Sequence, residues 1–342
     1  MQAIRLDAPK KFSFTELAQP TRVRGDEALV RVHRVGICGT DISGYLGKMP
    51  FFAYPVIPGH ELGVEVLEVG SEVSSVEVGN HCSVEPYMNN PESFASRRGR
   101  PNCCEDLKVL GVHTDGGLRE QIVVPARKLH SSENLSFDQL ALVETLAIGC
   151  HAVERARLEA EEHVLVIGAG PIGLSVIEFA KVAGTRITVL DLNEKRLQFC
   201  AKTLNVSNVV QGSQTEDVLD RFKELTDGNL FTAVFDATGS NRSMSNAVEY
   251  VGHTGRLVFV GISTQPLSYY HPLLHRREMT LLTSRNALPG DFTKIIDLIE
   301  RGIIDTRPWI THRSRFENLI EEFPAFTRPE TGVVKAMVEM SQ

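Results

Sequence analysis

The sequence predicts an α/β protein of two domains: a barrel-like β domain and a parallel sheet with helices on both faces. A glycine-rich motif, Gly168-x-Gly170-x-x-Gly173, stands between an apolar run at 163–167 and a helical pattern at 171–183. Strand and helix patterns then alternate to about residue 284, the signature of successive βαβ units. Before residue 80, short alternating segments punctuated by Gly and Pro read instead as barrel-forming strands.

Bulk properties narrow the class. The chain has 342 residues, enough for about two domains. It is 42% hydrophobic and 23% charged, the balance of a soluble globular protein. A net charge of -7 argues against non-specific nucleic-acid binding, which needs basic surface. No apolar run reaches the ~18 residues that would span a membrane. The first residues lack the apolar core of a signal peptide. Six cysteines are scattered without the spacing of a disulfide framework, so a reducing, cytoplasmic setting is expected.

Taken in order, residues 28–35 and 63–69 alternate as half-buried strands, and Gly70 closes the second. Residues 86–110 read as irregular. Asp115-Gly116-Gly117 is a turn, 118–124 a strand and 138–153 a helix. The parallel sheet follows. Strands at 163–167, 186–191, 208–211, 231–237, 256–261 and 280–284 are separated by helices at 171–183, 194–204, 215–226 and 243–251. A helix at 292–301 and a strand at 332–340 return the chain to the first domain. The expected division is 1–147 with 290–342, and 148–289.

The glycine motif has the context that gives it meaning. Gly168 permits a tight turn, Gly170 lets the backbone approach a pyrophosphate, and Gly173 lets helix and strand pack closely. The helix opening at Pro171 and Ile172 offers free N–H groups and a positive dipole end. Asp191 ends the next strand 23 residues after Gly168, near the separation of about 20 for the acid that binds ribose hydroxyls. Its charge would repel the 2′-phosphate of NADP, so NAD is the expected cofactor. Arg196 either stacks on adenine or is a solvated helix arginine.

Two further motifs stand upstream: Gly36-Ile37-Cys38-Gly39-Thr40-Asp41 and Gly59-His60-Glu61. Zinc takes thiolate, imidazole and carboxylate ligands, and a catalytic site uses three of them plus an open position. Cys38 and His60 fit if loops bring them together, with Glu61 and Glu144 as available carboxylates. Taken singly, Cys38 reads equally as a core residue, His60 as a turn histidine and Glu144 as a solvated helix residue. The 22-residue gap from Cys38 to His60 matches no compact metal motif, so spacing leaves both readings open.

These motifs, in register over nearly the whole chain, resemble the medium-chain, zinc-dependent alcohol dehydrogenases, and in flavour the polyol, sorbitol and threonine dehydrogenase branch. The resemblance implies a GroES-like catalytic domain interrupted by a Rossmann domain. It implies a catalytic zinc held by Cys38, His60 and Glu61, with Glu144 ligating directly or through water. A substrate hydroxyl would lose its proton through Thr40 and its hydride to NAD, in the cleft between the domains. Thr238, Val260 and Ser284 with Arg285 lie where relatives contact the cofactor. The family commonly forms homodimers or homotetramers.

The chain departs from the family pattern twice. Many relatives carry a structural zinc on four cysteines, and here Asn90, Ser93 and Ser96 stand in place of three, leaving only Cys104. Neutral Ser and Asn are poor substitutes for thiolate, so no structural zinc is expected. Ser43 replaces a relay histidine, and serine cannot take up a proton near neutral pH. The expected substrate is a polyol or a sugar acid such as galactonate, gulonate or idonate. Arg97, Arg98, Arg100 and Arg285 are candidate carboxylate partners, though the first three read as readily as solvated residues. Competing readings are a threonine-type dehydrogenase, a non-catalytic NAD-binding protein and a zinc-free quinone reductase. The pairing of Cys38 with His60 disfavours the last two.

Overall fold

Alternating apolar residues build the first part of the chain into a seven-stranded sheet. The strand Glu27–Ile37 is its centre, pairing antiparallel with Glu61–Val69, Gln121–Pro125 and Lys335–Glu339. His81–Val84 and Leu129–Ser131 extend one edge, and Ile310–Arg315 extends the other in parallel with Lys335–Glu339. Val30, Val32, Val35, Leu62, Val64 and Val66 lie buried in the resulting core, with Phe316, Leu319 and Phe323 from the C-terminal segment. This is the predicted GroES-like domain. The chain in this computed structural model is described over residues 1–49, 52–212 and 215–341.

The second unit is a six-stranded, wholly parallel sheet. Its order in space is Asn208–Gln211, Arg186–Asp191, His163–Ile167, Phe231–Asp236, Val251–Phe259 and Thr280–Thr283. The strand order reverses between His163–Ile167 and Phe231–Asp236, the switch point where Rossmann folds bind ligands. Every residue of His163–Ile167 is buried, as a central strand covered on both faces requires. The helices Pro171–Val182, Glu194–Lys202 and Thr215–Leu225 follow their strands as predicted.

The two units are Met1–Thr145 with Leu288–Gln342, and Leu146–Ala287. Among the described residues, no helix is long and apolar enough to cross a membrane. None of the six cysteines forms a disulfide among the described residues.

Two local expectations are corrected. The helix expected at 243–251 is Asn241–Asn246 followed by a 3-10 turn, Ala247–Tyr250, and the next strand already begins at Val251. Val251 pairs with Phe231 and is fully buried, so sheet pairing captures a β-branched residue that the helical pattern claimed. The stretch 86–110 is not wholly irregular. It contains the strand pair Tyr87–Met88 and Lys108–Val109 and the short helices Phe94–Arg97 and Pro101–Cys103.

Candidate active site

Strand register brings the distant donors together. Gly36 and Glu61 are direct partners across the strands Glu27–Ile37 and Glu61–Val69, so Cys38 and His60 leave the same end of the sheet. The approach needs a glycine: a Cβ on Gly36 would stand 2.0 Å from Glu61 Oε2. Cys38 caps the helix Gly39–Tyr45, and its N–H donates to Asp41 Oδ2 at 2.9 Å. The Asp115-Gly116-Gly117 turn fixes the segment ahead of His60. Ile57 N–H donates to Asp115 Oδ1 at 2.9 Å, and Gly117 N–H donates to Gly59 O at 2.8 Å.

The ligand atoms of Cys38, His60 and Glu61 all lie within 4.8 Å of one another. His60 and Glu61 are buried and Cys38 is half-buried. Asp41 Oδ1 faces His60 Nδ1 at 3.8 Å, and both atoms are buried without a hydrogen-bond partner. Burial alone would lower the His60 pKa. The charges of Asp41, Cys38 and Glu144 outweigh it and hold the imidazolium well above its ordinary range. Burial likewise raises the carboxyl of Asp41, against the pull of His60. The pocket thus gathers the acids Asp41, Glu61 and Glu144 and the Cys38 thiol around His60 and Lys335. The residues therefore fit a divalent metal by donor type, convergence and charge.

The two candidate carboxylates are held differently. Glu61 accepts from Lys335 Nζ on both oxygens, at 2.6 and 2.7 Å. Lys335 also donates to Thr145 Oγ1 at 3.2 Å. Glu144, in the middle of the helix Phe137–Ala156, stands outside the 4.8 Å set. It is buried and accepts from the Tyr87 hydroxyl at 2.5 Å. Burial raises its pKa, with His60 opposing. Thr40 and Ser43 lie half-buried on the helix that Cys38 caps.

The four positions of the lobe form a hydrogen-bonded cluster. Asn90 N–H donates to Cys104 Sγ at 3.3 Å, and Ser93 Oγ donates to Ser96 Oγ at 2.9 Å. Asn89 Nδ2 adds a bond to Ser96 Oγ at 3.0 Å. Burial raises the Cys104 pKa, but donors led by the Ser93 hydroxyl outweigh it and lower the thiol below its ordinary value. Arg97, Arg98 and Arg100 are exposed, with Arg98 lying over the Phe94 ring at 5.2 Å. Their solvated reading is the one this arrangement favours.

In the second unit, a Cβ on Gly173 would stand 1.7 Å from Gly168 O, which enforces glycine where helix meets strand. Above Gly170 the nearest foreign atom to such a Cβ is the Arg196 guanidinium at 3.8 Å, so the turn stays open to a phosphate group. Pro171 and Ile172 are half-buried at the start of the helix. Asp191 accepts from Ala169 N–H and Asn193 N–H, each at 2.7 Å, tying the strand end to the glycine turn. Each carboxylate oxygen has lone-pair capacity left for a ribose hydroxyl. Thr238 donates to Asp236 Oδ1 at 2.7 Å, and Val260 N–H donates to Asp236 O at 2.9 Å. Ser284 N–H donates to Phe259 O at 2.9 Å, its hydroxyl is buried without a partner, and Arg285 is exposed.

Comparison with known proteins fixes the family. Residues 24–134 match the alcohol dehydrogenase GroES-like domain, and residues 171–301 match the zinc-binding dehydrogenase domain. L-galactonate-5-dehydrogenase of Escherichia coli K12 is 36% identical over 339 residues, covering 99% of this chain and 98% of that protein. The chain belongs to the zinc-dependent medium-chain alcohol dehydrogenases. L-idonate 5-dehydrogenase of Vitis vinifera is 31% identical over 299 residues, 84% of this chain and 80% of that one. Among solved structures, an alcohol dehydrogenase (rspB) of Escherichia coli CFT073 complexed with NADH aligns with TM-score 0.92 and 29% identity, covering 99% of each chain. As a member of this family's polyol and hexonate branch, the chain is an oxidoreductase acting on CH–OH donors.

Three residues that touch the donor set carry no role in the sequence reading: Asp41, Tyr87 and Lys335. Lys335 left a signal, a lone lysine inside the apolar run Val333-Val334-Lys335-Ala336-Met337-Val338. Lysine is almost never fully buried without a partner, so such a position asks for a buried acid. Asp41 stood inside a quoted motif, where a first-turn acid also reads as a simple helix cap.

Proposed function

We propose that this dehydrogenase oxidises a secondary hydroxyl of a hexonate or polyol with NAD, giving the ketone. Cys38 and His60, completed by a carboxylate of Glu61 or Glu144, would hold one zinc. The buried, convergent and acid-rich donor set of Cys38, His60 and Glu61 carries this reading. When bound, zinc acidifies the hydroxyl it holds, and NAD supplies the hydride acceptor. Asp41, whose Oδ1 faces His60 Nδ1 at 3.8 Å, would orient the ring once a metal draws on the other nitrogen, as carboxylates do for metal-binding histidines. Thr40, two residues after Cys38, relays the substrate proton onward through the cofactor ribose and water in the absence of a histidine at Ser43. The turn Gly168-Ala169-Gly170 and the helix opening at Pro171 and Ile172 hold the pyrophosphate, and Asp191 holds the adenosine ribose. Arg196, Thr238, Val260 and Ser284 complete the cofactor contacts. Asn90, Ser93 and Ser96 leave the lobe without a structural zinc. Cysteines outside any disulfide suit the cytoplasm, and assembly as a homodimer or homotetramer follows the family habit.

Hexonates are the favoured substrate class, because the relatives named above are an L-galactonate and an L-idonate dehydrogenase. The test is NADH production with matched panels of C6 aldonates, neutral polyols and L-threonine. An aldonate is expected to win by tenfold or more, about 1.4 kcal/mol of discrimination. A neutral polyol or threonine winning by that margin defeats the hexonate assignment. NADP replacing NAD without loss defeats the role of Asp191.

A further inference from the structure

Tyr87 is a buried tyrosine whose hydroxyl serves a candidate metal-site carboxylate. It sits on the strand Tyr87–Met88, paired through Val109, and its ring meets Phe292 edge-on with centroids 6.3 Å apart. A buried tyrosine hydroxyl needs a partner, and here it is Glu144 Oε1 at 2.5 Å. Glu61 and Glu144 are thereby separated in function. An ammonium on both oxygens neutralises Glu61, whose charge is spent on Lys335. A phenol is a neutral donor, so it fixes the place of Glu144 without an ion pair.

We propose that Tyr87 is a positioning residue: its hydroxyl anchors one oxygen of Glu144 and holds that carboxylate in the pose from which it serves the zinc site. This rests on the zinc reading above, in which Glu144 is one of two candidate carboxylates, and adds to it the residue that places Glu144. It requires no movement of Lys335 from Glu61. Outer partners of metal ligands typically change metal affinity by about 10–100-fold when removed.

The test is the rate at which the zinc-loaded enzyme gives up its metal to a chromogenic chelator. Wild type, Tyr87→Phe, Glu144→Gln and the double variant are compared, with thermal unfolding of each as a fold control. Phenylalanine keeps the ring and its contact with Phe292, so a purely packing role leaves the release rate unchanged. Tyr87→Phe is expected to release zinc about tenfold or more faster. Glu144→Gln should release it at least as fast, and the double variant no faster than Glu144→Gln alone. Wild-type release from Tyr87→Phe overturns the proposal, as does additive behaviour of the two substitutions. Wild-type release from Glu144→Gln also overturns it, while leaving a zinc on Cys38 and His60 intact. A wild-type protein that binds no zinc defeats the underlying reading instead.

Discussion

Two cysteine-bearing clusters of the first unit have opposite electrostatics. Around Cys38, the acids Asp41, Glu61 and Glu144 gather on His60 and a single lysine, and the facing atoms of Asp41 and His60 lack hydrogen-bond partners. Around Cys104, the neighbours are Asn90, Ser93 and Ser96, which pair with one another and with the sulfur. One cluster gathers acids on a histidine and a lysine, and the other is joined by hydrogen bonds of hydroxyls, an amide and a thiol. A metal site is thus marked by unmet charge as much as by a cysteine. In the Cys104 lobe, hydroxyls and amides supply the bonding among the four positions.

Substitutions can sharpen this contrast. The largest stability effect is expected from Lys335→Met. It leaves Glu61 as a buried, unpaired charge, which costs about 3–5 kcal/mol. Urea unfolding of the metal-free protein measures it, and a change below about 1 kcal/mol would mean that Glu61 simply protonates. In the neutral cluster, Ser96→Ala removes a hydroxyl that bonds Ser93 and Asn89. The same assay should show a loss of about 1 kcal/mol, with zinc content unchanged. A drop in zinc content would mean that the lobe binds metal after all.

A smaller effect tests the surface around the same unit. Asp138, at the start of the helix Phe137–Ala156, accepts from Arg313 and Arg34. Burial raises its pKa, but these arginines outweigh it and hold the carboxyl below its ordinary range. A depressed folded pKa gives stability that is present above the unfolded value and fades as pH falls through the folded one. Arg313 is half exposed, so screening limits the effect. Asp138→Asn should cost under about 1 kcal/mol at pH 7 and nothing measurable near pH 2. An equal cost at both pH values would make the loss one of packing.

The parallel sheet was legible because its information is local. Each strand is a short apolar run, and Gly168, Gly170 and Gly173 declare the turn that the phosphate motif needs. The strands 163–167, 186–191 and 208–211 begin and end where the pattern places them. The donors Cys38, His60 and Glu61 were legible as motifs, but their meeting was not. It depends on the register that pairs Gly36 with Glu61, which single-sequence patterns do not carry. Lys335 reaches Glu61 from 274 positions away, through a strand that only tertiary pairing places there. Tyr87 was invisible for a similar reason, lying in a stretch where two-residue strands leave no periodicity to read.

The most direct measurement is elemental analysis of the purified protein and of Cys38→Ser. One zinc per wild-type chain is predicted, with that zinc and more than about a hundredfold of kcat/KM lost in the variant, a larger effect than removal of an outer partner gives. Two zincs per chain would contradict the account of the Asn90, Ser93, Ser96 and Cys104 cluster. No zinc, with activity intact, would contradict the account of the Cys38 site.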